Sequence, residues 1–180
     1  MDPHTDTTAV YSPYIREIPD FPKKGIGFKD ITPLLGDGKA FARAIEDLAR
    51  GVRDARLEPA RIACPEARGF LVAAPLAVRM GLGIVPVRKP GKLPHRTIEV
   101  EYSLEYGTDR VQMHIDGVAK GERVLLVDDV LATGGTMRAC AQLVEKTGGI
   151  VVGFAFLVEL TFLEGRRQLG DRPVVSLIRY

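Results

Sequence analysis

Cysteine, histidine and net charge are all scarce in this chain of 180 residues. It has two cysteines, Cys64 and Cys140, and three histidines, His4, His95 and His114. Both cysteines sit in apolar surroundings and read as small core residues of a reducing compartment, with no disulfide implied. The histidines are scattered without metal-ligand spacing. A formal net charge of only +2 is too balanced for a basic nucleic-acid-binding surface. No apolar run approaches the ~20 residues that a membrane helix needs. Residues Met1 to Asp6 are polar and acidic, without the basic and apolar regions of a signal peptide. Together these absences lead to the expectation of a cytoplasmic protein with no membrane and no nucleic-acid partner. Neither G-x-x-x-x-G-K-[ST] nor G-x-G-x-x-G occurs, and there is no internal repeat or low-complexity segment. A chain of this length, 46% hydrophobic and 27% charged, suits one globular domain with a sizeable core.

What is there concentrates in Val124-Leu125-Leu126-Val127-Asp128-Asp129-Val130-Leu131-Ala132-Thr133-Gly134-Gly135-Thr136. Four consecutive apolar residues are the pattern of a strand buried on both faces of a parallel sheet. The run stops at two adjacent carboxylates, a loop with two glycines follows, and Met137, Cys140, Ala141 and Val144 then share one helical face. That order describes a ligand site at the carboxyl end of a parallel strand. The N–H groups of Thr133 to Thr136 would leave the first helical turn without intrahelical partners and form an anion socket, helped by the helix dipole. Gly134 and Gly135 permit close backbone approach. Asp128 and Asp129 would repel a phosphate laid directly on them. They make sense beside ribose hydroxyls or a bound Mg²⁺ a few ångströms away, so a sugar phosphate explains the stretch better than a bare phosphate. An Asp cap with a glycine turn would account for the acidic pair alone.

Upstream, Val10, Tyr14 and Ile15, with Ile18 nearby, give a short helical pattern that ends before Pro19. Asp20 to Asp37 is dense in proline and glycine and reads as a long irregular segment, in which Phe21 and Phe28 either plug the core or serve function. Lys39 to Arg53 has the periodicity of an amphipathic helix. Arg61–Cys64 and Gly83–Val87 read as strands flanking a helix over roughly Leu71 to Met80, a right-handed βαβ unit. Arg68 lies in the turn between that strand and helix, where it suits either a bidentate phosphate contact or a helix-end ion pair. Arg88, Lys89 and Lys92 follow the next strand, as pyrophosphate ligands or as a solvated basic loop. Thr97 to Met113 alternates weakly, like a hairpin with Ser103 to Gly107 at its tip. Gly149 to Leu160 and Val174 to Ile178 supply two more buried strands.

The central stretch resembles the 5-phosphoribosyl-1-pyrophosphate (PRPP) motif of the type I phosphoribosyltransferases. Arg68-Gly69-Phe70, Arg88-Lys89-Pro90-Gly91-Lys92-Leu93-Pro94 and Val158-Glu159-Leu160 are similar to segments of the adenine-specific members, and the resemblance runs from about residue 12 to the C-terminus. It implies a single α/β domain over residues 1–180, with a central parallel sheet flanked by helices. It adds a small N-terminal hood at about 10–36 and a flexible antiparallel loop at about 95–113. The implied reaction transfers phosphoribose from PRPP to adenine, giving AMP and pyrophosphate, with Mg²⁺ accompanying PRPP and a homodimer as the assembly. By the same resemblance Ala132, Thr133, Gly134, Gly135 and Thr136 take the 5′-phosphate, and Asp128 and Asp129 take the ribose hydroxyls. Arg68, Arg88 and Lys89 hold pyrophosphate. Phe28 and Val130 sandwich the base while the backbone near Lys29 reads its edge. Glu105 is the implied proton-handling residue, with Tyr106 covering the site. The family carries a cis peptide that would here precede Ala67. Gly27 and Cys64 depart from the family pattern. Alternatives within reach of the motif are an enzyme for another base and a PRPP-sensing regulator. A PRPP synthetase would need a duplicated domain for which this chain is too short.

Overall fold

The computed structural model describes residues 7–21, 23–25, 27–103 and 108–180. The N-terminal part comprises helix α1 (Thr8–Tyr11), a 3-10 turn over Ser12–Tyr14, an antiparallel pair β1 (Arg16–Ile18) and β2 (Phe28–Asp30), and helix α2 (Thr32–Gly36). Two expectations are corrected here. The helical pattern stops at Tyr14, because Ile15 is extended (φ −108°, ψ 118°) and the chain continues as a strand. Arg16 faces Asp30 across that pair, Nε to Oδ2 3.4 Å. The segment from Asp20 to Asp37 is also less irregular than its proline and glycine content suggests. Asp30 fixes the entry to α2 by accepting from Thr32 N (2.9 Å) and Thr32 Oγ1 (2.7 Å), and Pro33 stands in the first turn, where its missing N–H costs nothing.

Helix α3 (Gly38–Asp54) is capped by Asp37, whose Oδ1 accepts from Lys39 N at 3.0 Å and Ala40 N at 2.9 Å. Then follow β3 (Arg61–Pro65), α4 (Arg68–Met80), β4 (Gly83–Val87), and the antiparallel hairpin β5 (Thr97–Ser103) and β6 (Thr108–His114). The chain closes with β7 (Arg123–Leu131), α5 (Gly135–Lys146), β8 (Ile150–Glu159), 3-10 turns over Thr161–Leu163 and Gly165–Leu169, and β9 (Val174–Arg179). Five strands form one parallel sheet in the order β4-β3-β7-β8-β9. The chain enters at β3, adds β4 on one side, then reverses to build β7, β8 and β9 on the other. Open sheets of this kind bind ligands beyond the carboxyl ends of the strands where the direction reverses, here β3 and β7.

Each face of the sheet has its own core. Buried side chains of α3 and α4, with Tyr11, Ile31 and Leu34 from the N-terminal part, pack on one face. Those of α5 and the β5–β6 hairpin pack on the other. Among the described residues no helix is long and apolar enough to cross a membrane.

Two boundaries differ from the sequence reading in ways that bear on chemistry. Helix α4 begins at Arg68, three residues earlier than expected, so only Glu66 and Ala67 separate it from β3; the peptide between them is cis. Strand β7 runs through the acidic pair to Leu131 and stays paired with β8 (Asp128 with Phe156, Val130 with Val158). Backbone pairing is indifferent to side-chain polarity, so the two carboxylates are strand residues.

Candidate active site

A cleft of about 400 Å³ opens at the carboxyl ends of β3, β4 and β7. It is lined by Glu66, Ala67 and Arg68 from the β3–α4 turn, Lys89 after β4, Asp128 and Asp129 of β7, and Tyr102 and Thr136 at its side. Helices α4 and α5 both start here. Their N-caps, Ala67 and Gly134, make no side-chain cap, unlike the Asp37 cap of α3. Two sets of helix-terminal N–H groups are therefore left for a ligand.

Two glycines set the close approaches. A Cβ on Gly134 (φ +85°) would lie 2.5 Å from Gly165 O and 3.0 Å from Gln168 Cβ, so the glycine loop is pressed against the Gly165–Leu169 turn. A Cβ on Gly69 would lie 2.8 Å from Asp128 Oδ1. The Arg68-Gly69-Phe70 run thus has a steric reason: only glycine lets α4 start beside that carboxylate.

The acidic pair is tightly enclosed. Asp128 Oδ1 accepts from Asp129 N at 2.9 Å. Burial, and then the Asp129 charge, push the Asp128 carboxyl well above the usual carboxylate range. Arg68 Nε lies 2.6 Å from Asp129 Oδ2, yet its N–H does not point along the contact. That buried oxygen consequently has the guanidinium charge beside it but no hydrogen-bond donor. Burial and the Asp128 charge also push the Cys64 thiol up to about 12, so it stays neutral beside the acids. Both cysteines are buried and unpaired.

The cations expected to hold pyrophosphate are each held by a carboxylate. Glu66 receives Arg88 Nη2 at 2.7 Å, Lys92 Nζ at 3.2 Å and the Lys89 N–H at 2.7 Å. Burial works against the Glu66 charge, but the Lys89 N–H and the Arg88 and Lys92 contacts outweigh it and hold the carboxyl below its ordinary value. Lys89 Nζ is bound to Asp109 and lies 3.4 Å from Tyr102 Oη.

The hood reaches the cleft through one ring. Phe28 lies 5.3 Å from the Arg68 guanidinium, with Phe21 edge-on to it at 5.1 Å. The Lys29 side chain turns the other way, to Glu17 at 3.0 Å and over the Tyr180 ring at 4.2 Å, which leaves its backbone as the part available to a base. Val130 is half-buried against the core that includes Ile31 and Leu34. Arg68, Lys89, Asp128, Asp129 and Thr136 thus line one cleft, and the Phe28 ring lies against the Arg68 guanidinium beside it. Ala132, Thr133, Gly134 and Gly135 form the link from β7 into α5, and the Arg88 guanidinium faces Glu66. Glu105 and Tyr106 lie outside the described residues.

Glu66, Tyr102 and Asp109 are the residues that sequence reasoning missed. Glu66 and Asp109 act on cations about twenty positions away in the chain, which no local pattern reveals. Tyr102 sits in the alternation of Ile98 and Val100 and reads as core, but its hydroxyl extends to Thr136 Oγ1 at 3.3 Å. Its cross-strand neighbour is Asp109.

The sequence profile of the phosphoribosyl transferase domain matches residues 34–173. An adenine phosphoribosyltransferase from Thermoanaerobacter pseudethanolicus is 60% identical over 166 residues, covering 92% of this chain and 95% of the relative. The chain belongs to the adenine phosphoribosyltransferase family. The crystal structure of the adenine phosphoribosyltransferase from T. pseudethanolicus has a TM-score of 0.92 at 57% identity, covering 96% of this chain and 99% of that one. The Saccharomyces cerevisiae member was solved with an imino-altritol bisphosphate and adenine. It reaches a TM-score of 0.91 at 34% identity, over 96% of this chain and 98% of that one.

Asp128 offers a test of the geometry. A carboxyl whose folded pKa is raised stabilises the fold below its unfolded pKa, and that contribution is lost as pH rises through the folded value. Asp128→Asn is expected to raise the ligand-free Tm at pH 8, with the gain shrinking toward pH 4. The same variant should bind PRPP about ten- to a hundredfold more weakly, the range for losing a hydrogen bond to a charged group. Thermal scans across pH and a PRPP titration check both halves.

Proposed function

We propose that the chain acts as a single domain over residues 1–180 that transfers the 5-phosphoribosyl group of PRPP to adenine, releasing AMP and pyrophosphate, in the cytoplasm. The observation that carries this reading is the juxtaposition at one cleft of an acidic pair, an uncapped helix N-terminus and cationic residues, with the Phe28 ring against Arg68 at its margin. The names of relatives as close as 60% identical supply the substrates. Substitution at the anomeric carbon passes through a transition state like an oxocarbenium ion. The N–H groups around Thr133 to Thr136, with the threonine hydroxyls, fix the 5′-phosphate and so position the sugar. Asp128 and Asp129 take the ribose hydroxyls, and their charge favours the developing cation. Arg68, Arg88 and Lys89 take up the charge of the leaving pyrophosphate. Adenine stacks on Phe28 and packs against Val130, with the Lys29 backbone at its edge.

The described residues contain no cluster of three or more His, Cys, Asp or Glu able to hold a metal. Two adjacent carboxylates on the cleft lining do fit a hydrated cation carried with the phosphates. Asp128 and Asp129 would hold Mg²⁺ arriving with PRPP, and the ion would supply neutralisation of phosphate charge.

The assembly proposed is a homodimer. Along α4, Leu71 and Val78 are 50% and 83% exposed, and Ile84 on the edge strand β4 is 40% exposed. Ala74 and Pro75 stand between Leu71 and Val78 on the same stripe of α4, so that helix presents an apolar face to its outside. Sedimentation is expected to give twice the chain mass, and Val78→Asp to reduce it to the monomer.

Incubation with PRPP, Mg²⁺ and adenine, hypoxanthine, guanine, xanthine or orotate is expected to yield nucleotide with adenine. Turnover with another base instead would discard the hood assignment and keep the PRPP site. Glu105 is assigned the proton of the base, on the resemblance of its sequence alone. Glu105→Gln is expected to lower kcat by about a hundredfold or more while PRPP binding changes little. Unchanged kcat would remove Glu105 from the mechanism.

A further inference from the structure

Three carboxylates neutralise the cations of the cleft, and they are not equivalent. The side chains of Asp129 and Glu66 are only 5% and 10% exposed. Glu66 holds three partners at once, and Asp129 belongs to the ribose site. Asp109 is different. Its side chain is 30% exposed, it stands on β6 outside the parallel sheet, and it binds one cation, Lys89 Nζ.

Around this pair the Tyr102 hydroxyl makes a junction. It donates to Asp109 Oδ2 at 3.1 Å and accepts from Lys89 Nζ at 3.4 Å and Thr136 Oγ1 at 3.3 Å. One phenol therefore connects the counter-ion of the pyrophosphate side to the first turn of the phosphate-binding helix. Burial works against the Lys89 charge, but Asp109 and Tyr102 outweigh it and keep the ammonium protonated.

A carboxylate oxygen and a pyrophosphate oxygen ask the same thing of an ammonium, namely a charge-assisted hydrogen bond. They cannot both occupy the same donor direction. We propose that Asp109 is a positioning residue that competes with pyrophosphate for Lys89: it holds the ammonium in the empty site, yields it when the phosphates arrive and reclaims it as product leaves. A half-exposed carboxylate suits that exchange, because it regains water on release and its ion pair is worth little. Asp109 keeps the Arg110 N–H at 2.8 Å and the Tyr102 hydroxyl when the ammonium leaves, whereas Glu66, more enclosed and paired with two cations, could not be released so cheaply. The Tyr102 junction holds Asp109 and Lys89 in register while the site is empty.

This inference rests on the assignment of Lys89 as a pyrophosphate ligand, and the test separates the two. Pyrophosphate binding in the presence of Mg²⁺ is measured by calorimetry for wild type, Asp109→Asn, Lys89→Gln and the double variant, with Asp109→Glu as the charge-keeping control. The expected result is binding roughly two- to fivefold tighter in Asp109→Asn, the range of a half-exposed ion pair. Asp109→Glu should return to near the wild-type value. Pyrophosphate should become a correspondingly stronger product inhibitor of Asp109→Asn. Lys89→Gln should bind more weakly, and adding Asp109→Asn to it should change nothing further. A merely structural Asp109 would give weaker binding when replaced, the opposite sign, and would overturn the proposal. Tightening that persists in the Lys89→Gln background would also overturn it, by exposing a general field effect. If Lys89→Gln leaves pyrophosphate binding unchanged, the assignment of Lys89 falls, and the competition with it.

Discussion

Two adjacent carboxylates at the end of a strand buried on both faces are the constraint to which the rest of the site answers. Like charges enclosed together resist ionisation, and the surroundings of Asp128 and Asp129 offset this from several directions. Asp129 N donates to Asp128, Arg68 lies against Asp129, and two helices begin nearby with N-caps that bring no carboxylate of their own. Gly69 is part of the same solution, since any side chain there would strike Asp128.

The cations follow a second rule: without substrate each is satisfied from within. Arg68 has Asp129, Arg88 and Lys92 have Glu66, and Lys89 has Asp109. Four cations can thereby stand around the empty cleft without unpaired charge, available for the proposed pyrophosphate. Binding then exchanges partners and creates few new charges, and it draws on ion pairs that are individually weak where they are exposed. The burial of Glu66 and the exposure of Asp109 decide which of those exchanges is easy.

Much of the fold was legible because the parallel strands are continuous apolar runs and the helices keep their periodicity. The stretch from Val124 to Thr136 read correctly as a strand leading through a glycine loop into a helix, except that the strand continues through the two acids to Leu131. Two local readings failed for a physical reason. Ile15 to Ile18 fits a helix on apolar spacing alone, but β2 offers it a partner, and pairing outweighs a weak local preference. The segment from Asp20 to Asp37 looked irregular because proline and glycine lower local propensity, whereas Asp30, Thr32 and Pro33 together start a short helix.

By itself, then, the sequence determined the parallel sheet, the position of the acidic pair and the glycine loop, and which cations stand at strand ends. Each of these depends on neighbours within a few residues. Tertiary structure alone decided which charge neutralises which. Glu66 meets Arg88, Asp109 meets Lys89, and Tyr102 meets Thr136 because β3, β4, the hairpin and α5 converge on one side of the sheet. Electrostatic and hydrogen-bond partners are chosen by distance in space, and separations of 20 to 34 residues along the chain carry no trace of them.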